Sequence, residues 1–428
     1  MMRVDPQTMY DWARDIFPLP RSLTGPGVVA TLEYLRGIIP ELEIVSVPSG
    51  TRAFDWTVPD EWTMRSGYLE HESGRRYVDY AESTLHVVGY SEPVDGWLTL
   101  DELEPHLFSL PAMPDAIPYV TSYYARRWGF SLRDDVRRTM PPGRYHAVID
   151  STLAPGHLRY GEFVLRGREE REILLSTYVC HPSMGNNECS GIAVTAALAA
   201  TMAARADRRY TYRFLFMPET IGAIVYLSRH LEHLQGHVDA GFVVTCVGDE
   251  RAVSFLPSPS GTTLADRVAR AILDAHASGY HTYSFLDRGS DERQYCSPLV
   301  DMPVVSIMRS KYGTYPEYHT SRDDLNFISP AGLGMSYDLI LRCLDVLEAN
   351  HTYRAVWPCE PQLGKRGLYP TLSARGIEAS VKTMTNVLAY ADGAADCIEI
   401  ASRIHAGVEE VVTVAHRLDE EKLLERVQ

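Results

Sequence analysis

The chain has 428 residues, 45% of them hydrophobic and 23% charged, an ordinary globular composition with length enough for two or three domains. A formal net charge of -15 argues against general affinity for nucleic acid or anionic membranes, because phosphate binding needs a basic face. Seven cysteines without a paired spacing, no signal-like apolar segment after Met1-Met2-Arg3 and no run long enough to span a bilayer point to the cytoplasm.

Residues 5–42 read as two helices, one with apolar residues at helical spacing from Pro6, the other opened by Gly25-Pro26-Gly27 and running over Val28–Ile39. From 43 to 161 the texture changes to short alternating segments separated by Gly, Pro and Asp, which suggests a β-rich insert. Its many aromatics, among them Trp56, Trp62, Tyr119, Tyr123, Tyr124 and Trp128, mostly suit hairpin packing. The stretch from Ile117 to Phe130 also suits one wall of a substrate pocket, since the insert feeds straight into the next strand.

That next stretch, Ile173 to Ala200, organises the rest. A buried strand over 173–179 leads into the polar loop from His181 to Gly191 and then into a small-residue helix. Strand, loop and helix in that order place chemistry at the carboxyl edge of an open α/β sheet. Later apolar runs lead to Glu219, to Asp249 and, through a polar loop, to His319. Each of these alone reads equally well as an ordinary loop residue. Together, two histidines and two carboxylates match the ligand preferences of zinc with a carboxylate to spare. Cys180 and Cys189 read as small buried residues.

An amphipathic helix follows over Thr262–Ala277, then a charged loop over 287–295. In that loop Asp291 or Glu292 suits a substrate amine and Arg293 a substrate carboxylate; an internal salt-bridge network suits all three equally. A long helix over Leu333–Leu347 closes the domain. The remainder, 357–428, reads as a separate unit, with helices over 380–390, 397–404 and from Ser402 or His405 to Val414, and a turn at 391–396. Acids outnumber bases there, which favours intramolecular or dimer packing over DNA recognition.

The segments CHPSMGNNECSG, FMPETIGAIVYLS, CVGDE, RGSDERQYCSP, YPEYHTSRDDLNFI and CEPQLGKRGLYP make the chain resemble the co-catalytic zinc aminopeptidases. More closely, it resembles bacterial aminopeptidase-like proteins of unassigned function with a β-rich insert and a winged-helix tail, often found near polysaccharide or natural-product biosynthesis genes. The resemblance implies an α/β fold: a zinc-aminopeptidase-like mixed sheet flanked by helices (1–42 and 162–356), an all-β insert (43–161) and a C-terminal winged-helix domain (357–428). It implies that His181 and Asp249 share a zinc, that His319 completes this site or binds a second ion, and that Glu219 is the general base.

Two positions depart from the family pattern. Asn187 stands where relatives carry a bridging Asp, and Thr220 where they carry a second Glu ligand. An amide offers one metal a carbonyl oxygen but bridges poorly, so one ion is expected rather than two. Glu188 compensates only if the loop re-registers. The remaining alternatives are Glu219 recruited as a ligand, or a metal-free relic. The expected protein is a metal-dependent aminopeptidase or amidase, acting through zinc-activated water on a small amino-bearing or short peptide substrate. It is expected to have no nucleic-acid or membrane partner, and homo-oligomerisation is open. The alternatives are a non-hydrolytic binding protein and a biosynthetic enzyme of condensation or acyl transfer.

Overall fold

The computed structural model describes residues 3–368 and 377–427. Its compact units are Met1–Gly261 with His281–Tyr337, and Thr262–Tyr280 with Asp338–Gln428.

The first unit is built on an eight-stranded sheet. In spatial order its strands are Glu43–Pro48, His157–Leu165, Thr211–Met217, Glu172–Tyr178, Val238–Val243, Val304–Met308, Ser254–Leu256 and His281–Thr282. The four central strands, from Thr211–Met217 to Val304–Met308, run parallel; the next strand on each side joins them antiparallel, and the last two, Ser254–Leu256 and His281–Thr282, pair in parallel. Thr211–Met217 and Glu172–Tyr178 are buried at every residue, as strands covered on both faces must be. This burial explains why they read as unbroken apolar runs rather than alternating ones.

Helix Ser190–Ala203 lies against the sheet and is buried along nearly its whole length, which its run of Ala, Gly, Ser and Thr permits. At its start Gly191 is obligatory, because a Cβ there would meet the Val244 carbonyl oxygen at 2.5 Å and Thr177 Oγ1 at 2.7 Å. Pro6–Ile16 packs on the same helix; it carries Pro at its first position and is capped by Asp5.

Two strands expected to lie within the insert join this sheet instead. Glu43–Pro48 pairs with His157–Leu165, so the chain enters and leaves the insert along one antiparallel pair. The alternation of Leu42 to Val47 announces a strand but not the sheet it belongs to. Inside that pair an antiparallel four-stranded sheet forms in the order Arg76–Asp79, Glu61–His71, Arg144–Ala154, Val94–Thr99. Short helical turns at Leu100–Leu103 and Asp134–Arg137 interrupt what was expected to be all β.

The second unit holds a three-stranded sheet of Thr352–Ala355, Asp392–Asp396 and Leu424–Arg426. Its helices are Ile377–Tyr390, Cys397–Ile404 and Val408–Glu420, together with Leu264–His276. The segment read as a turn at 391–396 is therefore largely strand. Glu409, at the start of Val408–Glu420, accepts from His276 Nε2 at 2.6 Å and Arg342 Nη1 at 2.7 Å. Among the described residues no helix is long and apolar enough to cross a membrane.

Candidate active site

The first site loop leaves the sheet after Tyr178. A wide helical turn over Gly185–Cys189 curls the chain back so that Glu188 faces His181. Its Oε2 accepts from the His181 backbone N–H at 2.6 Å and from Nδ1 at 2.8 Å. Its Oε1 accepts from Arg21 Nε at 3.0 Å, and the same Nε reaches the His181 carbonyl at 3.0 Å. Arg21 also donates to the Ile16 carbonyl and, at 3.2 Å, to Cys189 Sγ. Both side chains of the Arg21–Glu188 pair are fully buried. Against the pull of burial, Glu188 holds a proton on Nδ1 and raises the pKa of His181, whose Nε2 lies 3.7 Å from Glu219 Oε2.

The second loop begins two residues beyond strand Thr211–Met217. Glu219 keeps about a fifth of its side chain exposed, and burial raises its pKa above the usual carboxylate range despite the His181 charge beside it. Thr220 sits at φ 64° and ψ -74°, an uncommon conformation for a β-branched residue. Two neighbours hold it there. Its N–H donates to Asp291 Oδ1 at 2.7 Å, and its hydroxyl accepts from Arg293 Nη2 at 3.0 Å.

The third loop presents His319, itself at φ 56°. Two insert residues grip it from the other side: the Tyr119 N–H donates to the His319 carbonyl at 2.8 Å, and the Ser321 N–H to the Ile117 carbonyl at 2.8 Å. The His319 Nε2 is buried and has no hydrogen-bond partner among the described residues. Burial, with the His181 charge nearby, pushes its pKa down to about 3, so the ring is neutral. The His181 and His319 ring centroids lie 5.3 Å apart, and Tyr119 packs on both at 5.2 and 5.1 Å.

These three loops form one side of a cavity of about 400 Å³. His181, Glu219, Thr220, Arg293 and His319 line it, together with Trp56, Tyr119, Thr121, Tyr123 and Tyr124 of the insert. The aromatic stretch of the insert thus faces the loops at the sheet edge.

The structure keeps Asn187, Asp249, Asp291 and Glu292 out of the cavity lining. Asp249 lies six residues beyond its strand, which ends at Val243, and its carboxylate is saturated. Oδ1 accepts from the Arg251 N–H and Ser310 Oγ, and Oδ2 from the Ser310 N–H and Asn186 Nδ2, at 2.8 to 3.1 Å. This corrects the expectation that Asp249 shares an ion with His181: its position after an apolar run was legible, but its direction was not. Asn187 turns its side chain to Tyr178, exchanging hydrogen bonds with the hydroxyl at 3.2 and 3.3 Å, while its N–H donates to Asp323. Glu292 is buried, with Oε1 accepting from the Gly289 and Ser290 N–H groups and the Tyr312 hydroxyl. Asp291 is buried behind Thr220 and is absent from the cavity lining. Of these three charged loop residues Arg293 alone lines the cavity.

Among the described residues the one dense group of metal-type side chains is Cys180, His181 and Glu188. It is a hydrogen-bond network, because Arg21 and His181 occupy both Glu188 oxygens and burial raises the Cys180 thiol well above its usual pKa. The donors without such duties are His181 Nε2, His319 Nε2 and the Glu219 carboxylate. Two imidazole nitrogens and one carboxylate form a set that zinc accepts with a fourth position left open, the ion displacing the second proton that Glu188 favours on His181. The orphaned, buried Nε2 of His319 is the observation that makes the fit. Arg21 was missed as a site residue, because a lone arginine after Pro20 carries no periodic signal; Glu188 was weighed as a substitute metal ligand, and its role as the partner of His181 Nδ1 becomes visible only once the turn over 185–189 is known.

The parallel core with a candidate site at its carboxyl edge, an inserted β sheet and a winged-helix tail define an aminopeptidase-like α/β protein. The chain belongs to the family described as a domain of unknown function, DUF4910, which matches residues 10–350. A winged helix-turn-helix family matches residues 351–426. A Clostridium acetobutylicum protein, named provisionally as a polysaccharide biosynthesis protein with an aminopeptidase-like domain, is 44% identical over 84% of this chain and 82% of its own length. A crystal structure described provisionally as a peptidase from Clostridium acetobutylicum superposes with a TM-score of 0.92, at 41% identity over 99% of this chain and 96% of that one. A zinc aminopeptidase from Bacillus subtilis shares the fold at a TM-score of 0.56 and 11% identity, over 79% of this chain and 94% of that one.

Proposed function

We propose that the chain is a zinc-dependent hydrolase of aminopeptidase or amidase type, cleaving an amide of a small amino-bearing molecule or short peptide inside this cavity. The observation that carries the reading is the meeting of His181, Glu219 and His319 on one side of it, with the His319 Nε2 buried and unpartnered. One zinc held by the two histidines, with Glu219 beside it, would supply Lewis acidity at the scissile carbonyl and lower the pKa of water. Glu219, the only carboxylate lining the cavity among the described residues, takes the proton from the attacking water and returns it to the leaving amine. Burial raises its affinity for that proton. Glu188 and Arg21 hold the His181 ring in one tautomer, and the insert keeps His319 in place and shields the site from bulk water. Asn187 and Asp249, both turned elsewhere, leave room for one ion rather than two.

The name of the Clostridium acetobutylicum relative favours a second reading, a biosynthetic condensation or acyl transfer in the same cavity. No nucleic-acid partner is proposed. The helix that would enter a DNA groove, Val408–Glu420, opens with Glu409 and Glu410, and phosphates repel such a face.

Metal analysis of the purified protein, paired with a panel of aminoacyl and peptidyl amides, tests the proposal. The expected result is about one zinc per chain, lost in His181→Ala and His319→Ala, with amide hydrolysis abolished by chelator and restored by zinc. Zinc content indifferent to both substitutions, or hydrolysis indifferent to chelator, overturns it.

A further inference from the structure

The cavity wall contains a cation that the hydrolytic chemistry does not use. Arg293 is exposed, lines the cavity and has no ion-pair partner among the described residues. It is also held in place. Nε donates to the Ser290 carbonyl at 3.1 Å and Nη2 to Thr220 Oγ1 at 3.0 Å. A guanidinium has five N–H donors, so both hydrogens of Nη1 and the second of Nη2 remain without an acceptor among the described residues, in the fork that suits carboxylate or phosphate. Thr220 is fixed in turn by its N–H bond to Asp291, in a conformation the surrounding structure must enforce. A side chain left for solvation alone would not need two anchors, one of them on a strained residue next to the proposed base.

The insert's share of the lining supplies a second feature. Trp56 and Tyr124 meet edge to face with ring centroids 5.4 Å apart, and they stay 38% and 54% exposed. Large rings left open on a cavity wall form a platform for a planar or ring-shaped group.

We propose that Arg293 is the substrate-selecting residue of this cavity. It binds an anionic substituent, carboxylate or phosphate, on an amide substrate whose ring lies against Trp56 and Tyr124. Thr220 is its positioning residue. The proposal rests on the reading of the cavity as the substrate site, and it deepens that reading by naming the substrate class.

The test is binding by titration calorimetry, so that it does not depend on turnover. The probes are hippurate, the neutral hippuramide and benzamidomethylphosphonate, each titrated into the full chain with and without added zinc. The expected result is that one or both anionic probes bind about tenfold or more tighter than hippuramide, the difference one charge-assisted hydrogen bond supplies. Arg293→Gln should erase that preference, Arg293→Lys should keep part of it, Thr220→Val should weaken it and Thr220→Ser should restore it. A lead for hippurate assigns the group as carboxylate; a lead for the phosphonate assigns it as phosphate. Equal binding of charged and neutral probes, no binding of either anionic probe, or a preference that survives Arg293→Gln overturns the proposal. An Arg293-dependent preference without hydrolysis of any amide would leave this inference standing and sink the hydrolase reading. Hydrolysis of neutral amides indifferent to Arg293→Gln would do the reverse.

Discussion

Two acidic positions near the same edge of the sheet follow the same kind of sequence, an apolar run and then a carboxylate, and they end in opposite states. Around Asp249 every acceptor is matched: four donors converge on its two oxygens, and the neighbouring Asp323 takes the N–H groups of Asn186 and Asn187. Around Glu219 the matching is incomplete. A partly open carboxylate, an unpartnered imidazole nitrogen and a guanidinium with donors to spare border one hollow. Burial and charge are common to both regions. The second differs in what it leaves unmatched, and a buried polar group left unmatched costs stability unless a ligand completes it.

The contrast can be broken by substitution, and the largest effect is expected at Glu219. Glu219→Gln should lower amide hydrolysis by about 10²–10⁴-fold while leaving thermal unfolding within about 0.5 kcal/mol of the parent, as scanning calorimetry would show. A loss of stability in place of activity would put Glu219 on the structural side.

Next is Arg21→Met, which leaves the buried Glu188 without its arginine, only His181 still facing it, and should cost about 3–5 kcal/mol in urea unfolding. Pairing it with Glu188→Gln should recover part of the loss, since the stranded charge is then gone. No recovery would mean that the arginine acts through its other contacts, to Ile16 and Cys189.

Asp249→Asn keeps the shape but turns two acceptor positions into donors facing donors. It should cost about 1–3 kcal/mol of stability and leave zinc content unchanged. Zinc lost in a variant that still folds would restore Asp249 to the metal site and undo the contrast.

The smallest effect is expected at Tyr124, which packs on Trp56 from an exposed position. Tyr124→Ala should shift stability by less than about 0.5 kcal/mol and raise KM with kcat little changed, which steady-state kinetics on a ring-bearing amide would separate.

The sequence shows the location of these residues better than their roles. His181, Glu219 and His319 stand out because apolar strands end near them, and the chain order of such strands fixes the edge they share. The aromatic stretch from Ile117 to Phe130 was legible as a wall because the insert returns directly into the sheet. Asp249 misled for a physical reason. An apolar run from Ala240 to Val247 looks like one strand, but pairing stops at Val243, and the remaining residues turn into a loop that delivers the carboxylate to Ser310 and Asn186. The pairing of Arg21 with Glu188 was out of reach. Their meeting spans 167 positions along the chain, and no local pattern encodes a contact of that range. The insert boundary slipped because an alternating hexapeptide fits either sheet.

His319 depends on a backbone grip supplied by a different part of the chain: Tyr119 and Ile117 bond to its loop, and Thr320 pairs with Pro118. The insert is therefore not a detachable ornament. A shortened protein that kept only the eight-stranded sheet and its helices would lose the brace on one of its two imidazoles. Transplanting the insert from a relative would re-aim that imidazole along with the pocket wall, so reactivity and selectivity in this architecture are inherited as a single trait.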